Sequence, residues 1–235
     1  MAASEYAFLH GVRRTRGTLA QWRARPLPVL RSWVSGAATA AAMLLVAVAV
    51  IATAWPGNPG AAALSGPPFA VGGMDDLVRI LTGNGLVLAL HAMACVAGFI
   101  AGSSLPLQAG QHTGRMRLIH ERGPTLAIGF VACATAFSLS MQAYTIGRAT
   151  AQDAAALHVS PLWLLLGLLP HAVPELIALF LPLAAWILAS RRGEWERLLA
   201  ATVVTVALAV PTLVAAAAWE TFVAPHLLSA MLGPH

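Results

Sequence analysis

The chain has 235 residues, of which 58% are hydrophobic and only 10% charged, and its mean hydropathy is +0.74. A soluble domain carries about a quarter charged residues, so a soluble enzyme is excluded and an integral membrane protein is indicated. The formal net charge of +5 comes from 14 basic residues, every one an arginine, against 9 acids; on a membrane protein such a surplus marks the cytoplasmic flanks of the spans.

Residues 1–32 form a basic amino-terminal segment in which arginines interleave with Tyr6, Phe8, Leu9, Val12, Leu19 and Trp22 at helical spacing. The pattern predicts an amphipathic helix on the inner leaflet, with the arginines meeting anionic headgroups. No base-reading module accompanies the basic patch, so nucleic acid is not expected as a partner. The segment is too long, and the apolar run after it too extended, for a cleaved secretory signal, so a retained anchor is expected.

From residue 33 onward the chain reads as one transmembrane helical bundle. Runs of about 20 apolar residues, enough to cross a bilayer core, predict five spans near 33–55, 80–106, 125–146, 161–189 and 198–224. The segments between them, 56–76, 108–124, 147–160 and 190–197, are rich in Gly, Pro or charge, as loops are. With the amino terminus cytoplasmic and the carboxyl terminus external, twelve arginines lie inside and only Arg79 and Arg148 outside, as the positive-inside rule requires. The expected class is therefore an all-α, polytopic, multi-pass integral membrane protein. Cys95 and Cys133 lie in apolar runs and read as small hydrophobes, without a disulfide or a CxxC metal site.

Polar residues interrupt every span after the first. The second contains Asn84 and His91, and the third contains Gln142 and Tyr144 in "SLSMQAYTIG". The fourth, "LLLGLLPHAVPELIALFLPLAAWILA", places His171 and Glu175 four residues apart, on one helix face. Pro170 and Pro174 remove backbone donors there, which predicts a kink or break and the wall of a polar cavity. The last span adds Glu220 in "AAAAWETFVAPHL". Counted from Pro161 at 1.5 Å per residue, His171 lies about 15 Å deep, in the leaflet that Glu220 approaches. An ionised group at the bilayer centre costs on the order of 2.5–3.5 kcal/mol, so it persists only if paired, neutralised or functional.

"LLPHAVPELIALFLPLAAWIL", followed by a basic turn and then "LVAAAAWETFVAP", resembles the stage II sporulation protein M family of bacterial membrane proteins. The resemblance assigns His171, Glu175, Glu220 and Pro225 to the family's polar positions and makes "QAYTIG" similar to the small-residue turn before the motif. Ala172 stands where the family has glycine, and Ile177 where it has proline. It implies a scaffold or transporter-like subunit of a membrane complex, with a protein partner or a second copy of the chain.

The residues leave several chemistries open. His171 and Glu175 can be a hydrogen-bonded pair that fixes packing, or part of a transport or proton pathway. They can also be catalytic, with His171 as general base oriented by Glu175 and Glu220 as opposing acid. His91, Asn84, Gln142 and Tyr144 would then bind substrate or relay protons. The catalytic alternative is a cofactor-independent isomerase or epimerase of a hydrophobic peptide. His-x3-Glu without a second histidine is not a zinc spacing, and no nucleotide loop, nucleophile elbow or dinucleotide fingerprint is present. No cofactor or metal is expected.

Overall fold

The computed structural model describes residues 3–58, 71–104 and 114–232, and all regular structure among them is helical. In chain order the helices are α1 (Ala3–Ala24), α2 (Pro26–Ala54), α3 (Met74–Phe99) with a π-helical turn Ile100–Ser104, and α4 (Gly114–Ala156). They continue with α5 (Pro161–Arg192), a 3-10 turn Trp195–Arg197, α6 (Leu198–Phe222) and α7 (Ala224–Leu232). Of the expected loops, residues 59–70 of 56–76 and 108–113 of 108–124 lie outside the described residues, whereas 114–124 and 147–156 are not loop but helical, as the two ends of α4.

Four helices are long and apolar enough to cross a membrane: Pro26–Ala54, Met74–Gly102, Pro161–Arg192 and Trp195–Phe222. The remaining expected span, 125–146, falls inside α4, whose 43 residues extend well beyond a bilayer core at 1.5 Å each. Its side chains are described only in part. Large apolar side chains such as Met43, Val46, Val50, Phe137 and Leu162 are exposed on these helices. Exposure of that kind suits lipid contact rather than water.

The helix ends follow local chemistry. Ser160 precedes Pro161, and its Oγ accepts from the Trp163 N–H at 3.2 Å, an N-cap followed by proline at the first helical position. Asp76 Oδ2 accepts from the Gly73 N–H at 3.0 Å, half of a capping box at the start of α3. At the end of α5, Glu194 N–H bonds Ala189 O at 2.9 Å and Gly193 N–H bonds Ser190 O at 3.4 Å, with Gly193 at φ +68°. That is a Schellman stop. His158, at φ 55°, ends α4 in the same way, through Val159 N–H to Ala154 O.

Helix α5 departs from the sequence expectation, because it runs unbroken from Pro161 to Arg192. Pro170 and Pro174 both lie on its exposed face.

The chain divides into two compact units. The first comprises Met1–Ala37, Leu86–Ala134 and Leu179–Ala209. Its core is the stretch Leu179–Trp186, with Phe180 and Pro182 fully buried. Arg14 forms an ion pair with Glu196 that ties α1 to the 3-10 turn. Along α1, Arg13, Arg14, Arg16 and Arg23 are exposed while Leu19 and Trp22 are half-buried. The second unit comprises Ala38–Gly85, Thr135–Ala178 and Val210–His235. Here α2 turns Ala41, Leu44, Val48 and Ala52 inward. Gly147 of α4 packs so closely that a Cβ would stand 2.7 Å from Ile51 Cγ2 and 3.1 Å from Val48 O. Small residues at such crossings let backbones approach, as in membrane helix pairs.

Candidate functional site

In the second unit, three helices and one capped turn bring polar groups together. The Asn84 side-chain amide, from α3, donates to Glu175 Oε1, from α5, at 2.9 Å across 91 residues of sequence. Both side chains are half-buried. Glu220, from α6, is close enough for its charge to act on Glu175, and the Arg79 charge in turn acts on Glu220.

The turn ahead of α3 holds Arg79 in place. Gly72 N–H donates to the backbone oxygen of Thr221 at 3.1 Å, which pins the chain beside Glu220. Asp76 bonds Gly73 through one oxygen and receives Arg79 NH2 through the other, at 2.9 Å. Thr221 is buried, with its hydroxyl donating to Ala217 O at 2.8 Å. The start of one helix and the end of another are thereby locked at the level of two acids and one arginine.

His171 is only 7% exposed, and its Nδ1 has no hydrogen-bond partner among the described residues. It lies one helical turn before Glu175 on α5, the spacing at which side chains share a face. A buried ring nitrogen without a partner is an exception in native structures and calls for an explanation.

The other expected site residues have different neighbours. His91 belongs to the first unit, where its Nδ1 meets Leu179 O at 2.9 Å and its ring lies 5.7 Å from that of Phe180. Cys95, one turn on, donates its thiol to Pro182 O at 3.2 Å. Gln142 donates to Ser138 Oγ within α4 at 3.1 Å. Tyr144 accepts from Arg148 NH1 at 3.0 Å and stands edge-on to Trp55 with ring centroids 5.8 Å apart. The Arg148 guanidinium lies over both rings, 4.5 Å from that of Trp55 and 5.3 Å from that of Tyr144.

Arg79 is the member of the cluster that sequence reasoning left out, counting it only as an exception to the charge bias. Its place three residues after Asp76, at the head of a span, was the available signal.

Among the described residues, no group of three or more His, Cys, Asp or Glu side chains is arranged to hold a metal ion. The cluster combines two carboxylates in electrostatic range of each other, one amide donor, one arginine and one unpartnered imidazole. Chemically, it can attract a proton or small cation and exchange hydrogen bonds with a polar guest. No family profile matches the chain, and comparison with curated proteins and with solved structures gives no match.

Proposed function

We propose that this multi-pass membrane protein is a scaffold or transporter-like subunit of a membrane complex, similar to the stage II sporulation protein M family, and that its second unit binds a proton or small cation. The observation that carries this reading is the Asn84–Glu175 hydrogen bond, with the charge of Glu220 within electrostatic range of Glu175. Two carboxylates at the depth of apolar spans are expensive to keep, and a single amide donor leaves most of their acceptor positions free. The proposal includes five spans, with α4 supplying the third, an amphipathic α1 on the cytoplasmic side, an external carboxyl terminus and a bacterial cell membrane. The distribution of the arginines supports that orientation.

The test is proton movement in liposomes containing the purified full-length chain and an entrapped pH-sensitive dye. Wild type should dissipate an imposed pH gradient faster than empty liposomes, and Glu175→Gln and Glu220→Gln should return to the empty rate while keeping a normal melting temperature. A wild-type rate equal to that of empty liposomes removes the transport reading and leaves the scaffold.

The unpartnered Nδ1 of His171 favours one alternative reading, acid–base chemistry on a hydrophobic peptide. His171 would take the proton from an α-carbon, and protonated Glu220 would return one to the opposite face, with no cofactor required. Solvent deuterium appearing at Cα of apolar peptides incubated with wild type but not with His171→Gln would support it. Absence of exchange across a panel of such peptides would reject it.

A further inference from the structure

The first unit contains a cavity of about 280 Å³ that has no part in the cluster above. Trp22, at the end of α1, and Val29, Ser32 and Trp33, at the start of α2, form one wall. The end of α5 and the turn after it form the other. Its level along the spans follows from the sequence: Pro26 opens one membrane-crossing helix, Arg192 closes a second and Trp195 opens a third. The cavity therefore sits where three spans leave the hydrocarbon, the depth at which tryptophan and arginine concentrate.

The lining is divided by chemistry. The floor is apolar, with Ala185, Ala189 and Ala201 buried and too small to fill the space. The two tryptophans meet edge to face, with ring centroids 5.0 Å apart. At the rim stand Arg192 and Arg197, opposed by one acid, Glu194. Arg197 NH1 donates to Glu194 Oε1 at 3.0 Å, which leaves its other N–H donors available. Arg192 is exposed and forms no ion pair or hydrogen bond among the described residues.

We propose that this cavity binds the phosphate of an anionic phospholipid, with Arg192 and Arg197 on the phosphate oxygens and the first methylenes of the lipid on the alanine floor. Arginine suits this task because its planar fork meets phosphate oxygens two at a time. The volume lies just below the ~300–1,000 Å³ of sites that enclose a whole small molecule. It suits a headgroup and the top of a chain, with the remainder of the lipid in the bilayer. A phosphocholine headgroup would bring a cation to a rim already net positive, so an anionic headgroup is preferred. A free phosphate shares the arginine chemistry but has no use for the apolar floor.

The experiment uses the full-length chain in phosphatidylcholine nanodiscs containing a minority of brominated lipid, either phosphatidylglycerol or phosphatidylcholine, with quenching of tryptophan fluorescence as the readout. Brominated phosphatidylglycerol should quench more than brominated phosphatidylcholine, and the Trp22→Phe/Trp33→Phe variant should lose that excess. Each arginine near the surface is worth a factor of roughly five in anionic-lipid partition, so Arg192→Gln/Arg197→Gln should lose most of it. Arg16→Gln/Arg25→Gln, which alters exposed arginines outside the cavity, should keep it. Arg192→Gln alone removes a side chain with no partner among the described residues; it should fold normally and lose a large part of the excess. Equal quenching by the two lipids in wild type overturns the proposal, as does equal loss in the Arg16/Arg25 variant. Inorganic phosphate raising the melting temperature in detergent, with no phosphatidylglycerol excess in nanodiscs, would assign the rim to a free anion and also overturn it.

Discussion

Asn84 and Glu175, 91 residues apart in sequence, share a 2.9 Å hydrogen bond that joins α3 to α5 in the second unit. Bonds of this kind within membranes contribute about 0.6 kcal/mol on average and up to about 1.7. Asn84→Ala should therefore lower the melting temperature in detergent modestly. Asn84→Asp, which puts a third acid against Glu175 Oε1, should lower it further at neutral pH and less at acidic pH. Equal melting of the two variants at neutral pH would show that a carboxyl group at position 84 does not meet Glu175 as a like charge.

The polar cluster separates by function when its charges are removed without removing its hydrogen bonds. His171→Gln, Glu175→Gln and Glu220→Gln should all insert and accumulate, because an amide is easier to bury than an ion. If these groups move protons, flux or exchange should fall by about 100-fold or more in at least one variant. Wild-type behaviour of all three in both assays would leave packing as the role of the cluster.

Gly147 admits no side chain, since its Cβ would stand 2.7 Å from Ile51 Cγ2 and 3.1 Å from Val48 O. Gly147→Val should destabilise by the ~1–3 kcal/mol of an overpacked core, and Gly147→Ala by less. Combining Gly147→Ala with Ile51→Ala should recover part of the loss, measured as a coupling in a double-mutant cycle. Additive effects would mean that the contact is relieved elsewhere.

Asp153 lies in the last turn of α4, outside the four membrane-crossing helices, and desolvation holds its carboxyl above the usual carboxylate range. A raised acid binds its proton more readily in the folded state, so its contribution to stability is fully present at low pH and is lost as pH rises through the folded value. A negative charge at a helix carboxyl terminus is also unfavourable. Asp153→Asn should therefore raise the melting temperature at neutral pH, and the gain should vanish below about pH 4. The same gain at both extremes would exclude a charge effect.

Orientation is tested by reporter fusions. A fusion after His235 should read as external and one within 108–124 as cytoplasmic. A cytoplasmic carboxyl terminus would make α4 an extramembrane helix and leave four spans.

The helical class was legible, and so were the ends set by neighbours in sequence, such as Pro161 after Ser160 and the stop at Gly193 after two arginines, whereas α4 extends well beyond both expected ends of its span. Hydropathy likewise located the four apolar helices, the last two within about three residues and the first two with starts six or seven residues late. The continuity of α5 was not legible, because Pro170 and Pro174 weaken the helix locally and whether it continues through them is decided by its surroundings, which the sequence does not give. Nor could sequence separate His91 from His171. Both are histidines within apolar spans, but one meets the Leu179 carbonyl and the other lacks a partner at Nδ1. Pairings such as Asn84 with Glu175 are set by helix rotation and tilt, which a period-3.6 pattern leaves open.

At the end of α3 the backbone changes to a π-helical turn over Ile100–Ser104, and Gly102 within it has the Trp195 ring so close that no Cβ could be accommodated. Such turns occur mostly as single-turn bulges, frequently at functional positions. A π-turn accommodates one residue more than an α-turn, so it is the form a helix takes when its length has grown by a single codon without loss of the pairing on either side. Deleting one residue between 100 and 104 should therefore restore a regular helix with the residues on either side kept in phase. The recess at Gly102 that receives the Trp195 ring would be lost with the bulge that forms it, so the interlocking of these two turns depends on that one extra residue.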